Sequence, residues 1–213
     1  MTIDYTNITL ETAQEAVRAY NDGCYWGGVK NPELDRQALA LFEGGLGCTA
    51  EQVYEQVRFI GIDYGGAGFK APRDLVQTIR DDIWAVRDHY NTVAKAAPPV
   101  LQGPPPDSDI ECLLAPFRKE FHGKRNWLVW AAKFWHFLNH DAFPILDSRV
   151  DDFFHTRGQS QSARKYIFVC GRFRNFVMSH AEWRSVLRKA DGDLACCNNK
   201  LWDKVFYGLA ELE

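Results

Sequence analysis

The segment from Asn126 to Leu138 (NWLVWAAKFWHFL) is the feature that most constrains how this chain folds. Its apolar residues recur on every side of a helix rather than along one stripe, and a helix of that kind belongs in the core of a protein. A single lysine, Lys133, interrupts it. Lysine is almost never fully buried unless its ammonium group is paired or used. Lys133 is therefore the first candidate functional residue.

The composition is that of a globular protein. The chain has 213 residues, of which 46% are hydrophobic and 14% aromatic, enough to bury a substantial core in one unit or in two packed lobes. No segment approaches the roughly 20 apolar residues that a membrane span requires, and the first residues lack the basic and apolar regions of a signal peptide. We therefore expect a cytoplasmic protein with no membrane partner.

Helical periodicity and capping patterns predict an all-α protein, and no pair of alternating segments indicates strands. Thr49 and Gln52, for example, form a capping-box pattern at the start of a helix. Helices are predicted over residues 8–21, 32–42, 50–60, 72–96, 109–121, 126–138, 160–190 and 198–211, with another beginning at Asp147 or Ser148.

A proline-rich stretch at residues 98–109 (PPVLQGPPPDSD) is the strongest interruption of the helical pattern. Such a sequence forms either a lobe boundary or a stiff linker along the surface. We treat residues 1–213 as a single unit with a candidate lobe boundary at this stretch. The candidate catalytic residues fall in the half that follows, residues 110–213.

Charge is divided unevenly between the two halves. The net charge is −3, but residues 1–110 contain 16 acidic and 9 basic residues (−7), whereas residues 111–213 contain 12 acidic and 16 basic residues (+4). Either the charged residues are scattered over the surface as in any protein, or the basic residues of the second half form a face that binds a phosphate backbone.

The six cysteines, at positions 24, 48, 112, 170, 196 and 197, form no CxxC pair. Without a secretion signal, reduced thiols are expected rather than disulfides. No spacing in the sequence indicates zinc or an iron–sulfur cluster, so we expect no metal and no cofactor.

Lys133 and Asp147 suggest a chemical function together. An ammonium group among aromatic rings is poorly solvated, so its pKa should fall, and the free amine is the form that acts as a nucleophile or forms a Schiff base. The alternative is a lysine that extends its ammonium group to solvent. Asp147 stands at the start of the next helix, where it is either a helix cap or a carboxylate that accepts a proton during the reaction; both can hold at once.

Other residues are candidates for contacts with DNA. A basic turn ahead of the Lys133 helix could bind a phosphate through its backbone N–H groups and cationic side chains, although a solvated turn explains it equally. Aromatic residues near Lys133 could line a pocket for a base, although most of them should be core. The candidate DNA contacts are His122, Gly123, Lys124, Arg125, Asn126 and Arg149, and the candidate base-pocket residues are Trp130, His136 and Phe137.

One competing motif points to RNA cleavage. Residues 174–180 (RNFVMSH) carry the arginine-to-histidine spacing of HEPN-type RNases, which are also all-α. The same spacing joins Arg149 to His155, so the pattern is weakly specific.

Residues 131–150 (AAKFWHFLNHDAFPILDSRV) resemble the lysine-to-aspartate segment of the helix-hairpin-helix (HhH-GPD) DNA glycosylase superfamily, and in particular bacterial proteins with an 8-oxoguanine glycosylase (OGG) fold. Residues 200–210 (KLWDKVFYGLA) are similar to the last helix of those proteins. The LPGVG-like hairpin that usually precedes the lysine is replaced here by HGKRNWLVWAA. The resemblance covers about residues 126–155 and 200–210.

The resemblance implies a two-lobed, all-α glycosylase fold with a cleft, acting as a monomer on double-stranded DNA. Lys133 would be the nucleophile that attacks sugar C1′ of a flipped nucleotide, and Asp147 the essential aspartate. The base would be oxidised guanine or a modified base of phage DNA, and β-elimination could follow. The alternatives are a non-catalytic DNA- or protein-binding module on the same fold, and the RNase.

Overall fold

The described part of the chain is helical in the computed structural model, which covers residues 8–24, 28–64, 72–118, 127–192, 194 and 197–212. These residues form eleven α-helices and no β-strand, which confirms the predicted all-α class for them. None of the described helices is long and apolar enough to cross a membrane. The helices are α1 (Leu10–Asp22), α2 (Asn31–Leu41), α3 (Ala50–Arg58), α4 (Arg73–Ala85), α5 (Arg87–Ala96), α6 (Asp107–Arg118), α7 (Trp127–Leu138), α8 (Ser148–Phe153), α9 (Ala163–Ser179), α10 (Arg184–Asp191) and α11 (Asn198–Leu209).

Polar caps begin several helices where the sequence predicts them. At α3 the Thr49 hydroxyl accepts the backbone N–H of Gln52 at 3.2 Å, and the Gln52 side-chain oxygen accepts the N–H of Thr49 at 3.0 Å. This reciprocal pair is the predicted capping box. Thr9 caps α1 in the same way, by accepting the N–H of Thr12.

Two of the predicted long helices are each broken. The segment 72–96 forms α4 and α5, which are separated at Val86, where φ is −120° and ψ is 20°. The next residue, Arg87, donates a hydrogen bond from Nε to the Gly47 carbonyl at 2.7 Å, a tertiary contact that the local periodicity does not encode. The segment 160–190 breaks at His180, whose ring packs on Trp183 with centroids 4.2 Å apart.

Helix α7 lies in the core, as its all-round apolar pattern predicts. Leu128, Ala131, Phe134 and Trp135 are each 0% exposed. The indole N–H of Trp135 donates to the Tyr90 hydroxyl at 2.8 Å, which satisfies its one polar group inside the core.

The proline-rich stretch 98–109 is fastened to later parts of the chain. Val100 is buried and its N–H donates to the Asp141 carbonyl at 2.9 Å, while Arg174 Nε donates to the Leu101 carbonyl at 3.0 Å. Helix α1 packs against α10 and α11, so the first and last described helices meet. The lobe boundary itself stays a prediction.

Helices α1 and α11 approach each other closely at Gly208. A Cβ atom added there would lie 1.8 Å from the Ala16 carbonyl oxygen and 2.4 Å from its carbonyl carbon. Both are backbone atoms, so no side-chain rotation can relieve the overlap. Only glycine allows the two backbones to pack at this distance.

Gly208→Ala should therefore destabilise the protein by about 3 kcal/mol, because overpacking forces the two helices apart. Chemical denaturation monitored by circular dichroism measures the change. Gly171→Ala is the matched control, because Gly171 lies within α9 and an added Cβ meets nothing within 4 Å. The free energy of unfolding of the Gly171→Ala control should increase by roughly 0.5–1 kcal/mol, because alanine favours a helix more than glycine does. Equal stability of the Gly208 variant and the wild type would contradict the packing described.

Candidate functional site

Lys133 lies inside the protein, with 5% of its surface exposed. Its Nζ makes one long hydrogen bond, 3.5 Å to the carbonyl oxygen of Tyr64, and lies 5.3 Å from the centroid of the Tyr64 ring. No carboxylate among the described residues lies within salt-bridge distance of it. The side chain therefore does not extend to solvent, and the alternative of an ammonium group in bulk water is wrong.

This environment lowers the pKa of Lys133. Burial is the main cause, because it removes water from the charged form, and the positive charges of Lys200 and Arg149 act in the same direction. The carboxylates of Asp147 and Asp203 oppose the shift without cancelling it. The direction of this shift is the one that the sequence predicts.

Asp147 is the N-cap of α8, as expected. Its Oδ1 accepts the backbone N–H groups of Arg149 at 2.9 Å and Val150 at 3.0 Å. The side chain is half-buried, and of the charges that raise the pKa of Lys133, Asp147 has the largest effect. Capping the helix and acting on the Lys133 amine are thus compatible roles for the same carboxylate.

Arg149, a candidate DNA contact, is engaged within the protein. Its guanidinium group lies over the ring of Tyr207, 3.4 Å from the centroid, and pairs with Glu211. A role in binding phosphate stays a prediction. The other candidate DNA contacts, His122, Gly123, Lys124, Arg125 and Asn126, lie outside the described residues.

A buried ion network lies beside Lys133, and its centre is Lys200 on α11. Lys200 is 1% exposed, and its Nζ lies 2.7 Å from Asp203 Oδ2 and 3.1 Å from Asp35 Oδ1. Two tyrosine hydroxyls complete the network by donating to Asp35, that of Tyr64 at 2.7 Å and that of Tyr20 at 3.0 Å. Burial alone would lower the pKa of Lys200, but Asp203 and Asp35 together raise it well above its usual value.

Tyr64 joins this network to Lys133. Its hydroxyl accepts a hydrogen bond from Lys200 Nζ at 3.0 Å, and its carbonyl accepts the long hydrogen bond from Lys133. The Nζ atoms of Lys133 and Lys200 lie 5.3 Å and 5.7 Å from the centroid of the same ring. The position of the Lys133 amine therefore depends on how the Lys200 network holds Tyr64.

A second buried pair extends the network along α11. Lys204 Nζ lies 2.5 Å from Asp191 Oδ1 and donates to Asn21 Oδ1 at 3.0 Å. Both charged side chains are fully buried. These contacts tie α11 to α10 and α1.

The candidate base-pocket residues belong to the core. Trp130 is 2% exposed and packs on Phe117 and on Gly61, where a Cβ atom would lie 2.4 Å from the indole. His136 is 0% exposed and Phe137 is 4% exposed. Packing covers most of the surface of these side chains, although Phe137 also borders a cleft at the C-terminal end of α7. A role for the three residues in binding a base stays a prediction.

Two buried acceptor atoms near Lys133 have no hydrogen-bond partner among the described residues. They are His136 Nε2 and Asp203 Oδ1. The other ring nitrogen of His136, Nδ1, is 2.8 Å from the Phe143 carbonyl and must donate to it, which leaves Nε2 of a neutral ring as an acceptor. Buried polar atoms are rarely unsatisfied, so these two mark where a water molecule or a ligand donor would bind.

One cleft among the described residues lies apart from this site. Its volume is about 600 Å³, and its lining does not include Lys133 or Asp147. It lies at the C-terminal ends of α2 and α7 and is bordered by Phe42, Lys95, Phe137 and His140. The cleft and the amine are therefore separate features.

Not all basic residues of the C-terminal half, residues 111–213, lie at the surface. Lys133, Lys165, Lys200 and Lys204 are buried, and Lys165 pairs with Asp151 at 2.8 Å. The exposed basic residues of α9 and α10 are Arg164, Arg172, Arg184 and Lys189. Among the described residues of these two helices, a basic face for DNA would come from these four side chains.

Comparison with models of protein families, with curated proteins and with solved structures finds no match to this chain. The resemblance to DNA glycosylases therefore stays a prediction.

Proposed function

We propose that this protein is a lysine-dependent DNA glycosylase in which Lys133 is the nucleophile. The proposal rests on one observation. The Lys133 amine is buried and its pKa is lowered, and the carboxylate that most opposes this shift, that of Asp147, is fixed at the N-terminus of α8. Such an amine is rare in a core, and an amine in its neutral form is what attack on a sugar carbon requires.

Lys133 and Asp147 have complementary roles in this mechanism. The neutral amine bonds to C1′ of a flipped nucleotide, the C1′–N bond breaks, and the base leaves with the electron pair. Asp147 accepts the proton that the nitrogen loses and returns it to the departing base. The nitrogen lone pair then opens the sugar by breaking the C1′–O4′ bond, O4′ takes a proton from water, and a Schiff base forms between Lys133 and C1′. This Schiff base is hydrolysed, or loss of a proton from C2′ breaks the C3′–O bond by β-elimination.

The surrounding charges support this assignment of roles. Lys200 and Arg149 lower the pKa of Lys133, so they favour the neutral amine before attack. The N–H groups of Arg149 and Val150 hold the Asp147 carboxylate in place. The Asp203 carboxylate, which also acts on the pKa of Lys133, has one oxygen with no hydrogen-bond partner among the described residues.

The contacts of the RNase motif give no comparable support. Arg174 donates to the Leu101 carbonyl, whereas the His180 ring is hydrogen-bonded to the Phe176 carbonyl at 2.8 Å and packs on Trp183. The two side chains thus have different partners. We do not propose RNA cleavage.

A panel of modified duplexes tests the proposed activity. Duplexes that carry 8-oxoguanine, uracil, an alkylated base or a hypermodified cytosine are incubated with the protein, and release of the base and formation of abasic sites are measured. We expect an abasic product on at least one of them, with oxidised guanine or a modified phage base as the leading substrates. Salt-dependent binding of DNA without any product would instead favour the non-catalytic module.

Asp147→Asn should slow base release by roughly 10²- to 10⁴-fold, the usual contribution of a general acid–base group. The pH at which the rate is half-maximal should also fall, because the charge that most raises the pKa of Lys133 is removed. In the wild type this midpoint should already lie below the ordinary lysine pKa of about 10.4. A pH–rate profile measures both effects.

Asparagine is as good an N-cap as aspartate, so α8 should stay intact in this variant. Asp152→Asn is the control on the same helix, because Asp152 pairs with Arg157 rather than acting on Lys133. It should leave the rate and the midpoint unchanged. A midpoint that rises in Asp147→Asn would contradict the assigned electrostatics.

A further inference from the structure

Three side chains that bind metals converge at the start of α11. His140 and Asp141 lie in the turn after α7, and Cys197 is the N-cap of α11. One potential ligand atom from each residue lies within 4.8 Å of the others. Because Cys197 stands far along the chain from the other two, no local spacing in the sequence could reveal this cluster.

The protein holds the backbone of the cluster in place. The Asn199 side-chain amide donates to the carbonyls of His140 at 2.7 Å and Asp141 at 3.0 Å. Cys197 Sγ accepts the backbone N–H of Lys200 at 3.3 Å as the N-cap of α11, and its thiol donates to the His140 carbonyl at 3.9 Å. The ligands are therefore brought together by hydrogen bonds that need no metal.

The two exposed members can adjust to an ion. The side chains of His140 and Asp141 are 38% and 58% exposed, and His140 Nδ1 lies 3.4 Å from Asp141 Oδ1. His140 Nδ1 has no hydrogen-bond partner among the described residues. Tetrahedral bonds of about 2.0–2.3 Å separate ligand atoms by about 3.3–3.8 Å. The separations must therefore close by no more than about 1.5 Å for the three atoms to bind one ion.

We propose that His140, Asp141 and Cys197 bind one divalent, thiophilic metal ion, for which Zn²⁺ fits the donors best. A thiolate, an imidazole and a carboxylate are all zinc ligands, whereas Mg²⁺ and Ca²⁺ select oxygen donors. Three protein ligands leave the fourth tetrahedral position for water. The proposal revises the expectation from the sequence that the protein has no metal, and it does not depend on the proposed glycosylase.

A bound ion would fasten the turn after α7 to the start of α11. Helix α11 carries Lys200 and Asp203, so the ion would stabilise the helix that holds the buried network. His140 also borders the cleft at the end of α7, so a bound ion would lie beside this cleft.

Cobalt titration of the full-length protein tests the site. Co²⁺ is added to reduced, metal-free protein, and the thiolate-to-cobalt absorption band is recorded before and after competition by Zn²⁺. We expect one equivalent to bind and to be displaced by zinc. Cys197→Ser should abolish the band. Substitutions of residues that surround the ligands of a metal weaken its affinity by roughly 10- to 100-fold, and loss of a ligand in His140→Ala should weaken it by more.

The control variants distinguish cobalt binding at Cys197 from binding at the other cysteines. Serine is a strong N-cap, so Cys197→Ser should keep α11 folded. Cys196→Ser and Cys24→Ser should bind cobalt as the wild type does. The proposal is overturned if no band appears, if the band survives in Cys197→Ser, or if Cys196→Ser alone removes it.

Discussion

Replacing Lys133 with glutamine should reduce base release by on the order of 10⁴-fold or more, a loss typical of removing a catalytic nucleophile. Glutamine is nearly as long as lysine but has no nucleophilic nitrogen. The rate is measured on whichever duplex the wild type cleaves best. Lys30→Gln is the control, because Lys30 is an exposed lysine at the start of α2.

The same variant should fold at least as stably as the wild type. Lys133 is buried with one long hydrogen bond and no ion pair among the described residues, so a neutral side chain avoids the cost of burying its charge. Loss of activity with unchanged or higher stability is the signature of a group retained for chemistry. Full turnover in Lys133→Gln would contradict the assigned nucleophile.

Replacing Lys200 with methionine should destabilise the protein by about 3–5 kcal/mol, the usual cost of removing one partner of a buried ion pair. The reason is that Asp35 and Asp203 would remain buried without a cation. Denaturant unfolding at neutral pH measures the loss. Arg36→Met removes an exposed pair with Glu33 and should change stability by less than about 1 kcal/mol.

The pH dependence of the Lys200 variant provides an independent check. Burial raises the pKa of Asp203 and the charge of Lys200 opposes that rise, so without the cation this pKa should rise further and the folded state should bind more protons than the unfolded chain. The loss of stability should therefore shrink as the pH falls toward the pKa of Asp203. In the wild type, the contribution of Lys200 is fully present below the ordinary lysine pKa and is lost as the pH rises through its raised pKa. If the loss of stability relative to the wild type grew as the pH was lowered, the proposed pairing of Lys200 with buried carboxylates would be contradicted.

The sequence identifies Lys133 because its helix is apolar on every side. The Thr49 and Asp147 caps are equally local, since each depends on residues within three positions of the cap. The breaks at Val86 and His180 are not predictable in this way. They coincide with contacts of Arg87 and Trp183 that depend on tertiary packing.

The sequence gives no local signal for the Lys200 network. In α11 the apolar residues Leu201, Trp202, Val205 and Phe206 form one stripe, and Lys200 and Lys204 lie on the other side, where an amphipathic pattern predicts exposure. Those lysines are buried because α1 packs against that side of the helix. The partners of Lys200 could not be named, because Asp35 and Tyr64 come from the opposite half of the chain and meet it only in the fold.

The most direct test is to identify the atom that attacks the sugar. The wild-type protein is incubated with a cleavable duplex in the presence of borohydride, which reduces a Schiff base to a stable bond, and the adduct is mapped by mass spectrometry of its peptides. We predict a single adduct on Lys133, and none in Lys133→Gln. An adduct on another lysine or on the N-terminal amine, or base release with no trappable adduct, would contradict the account.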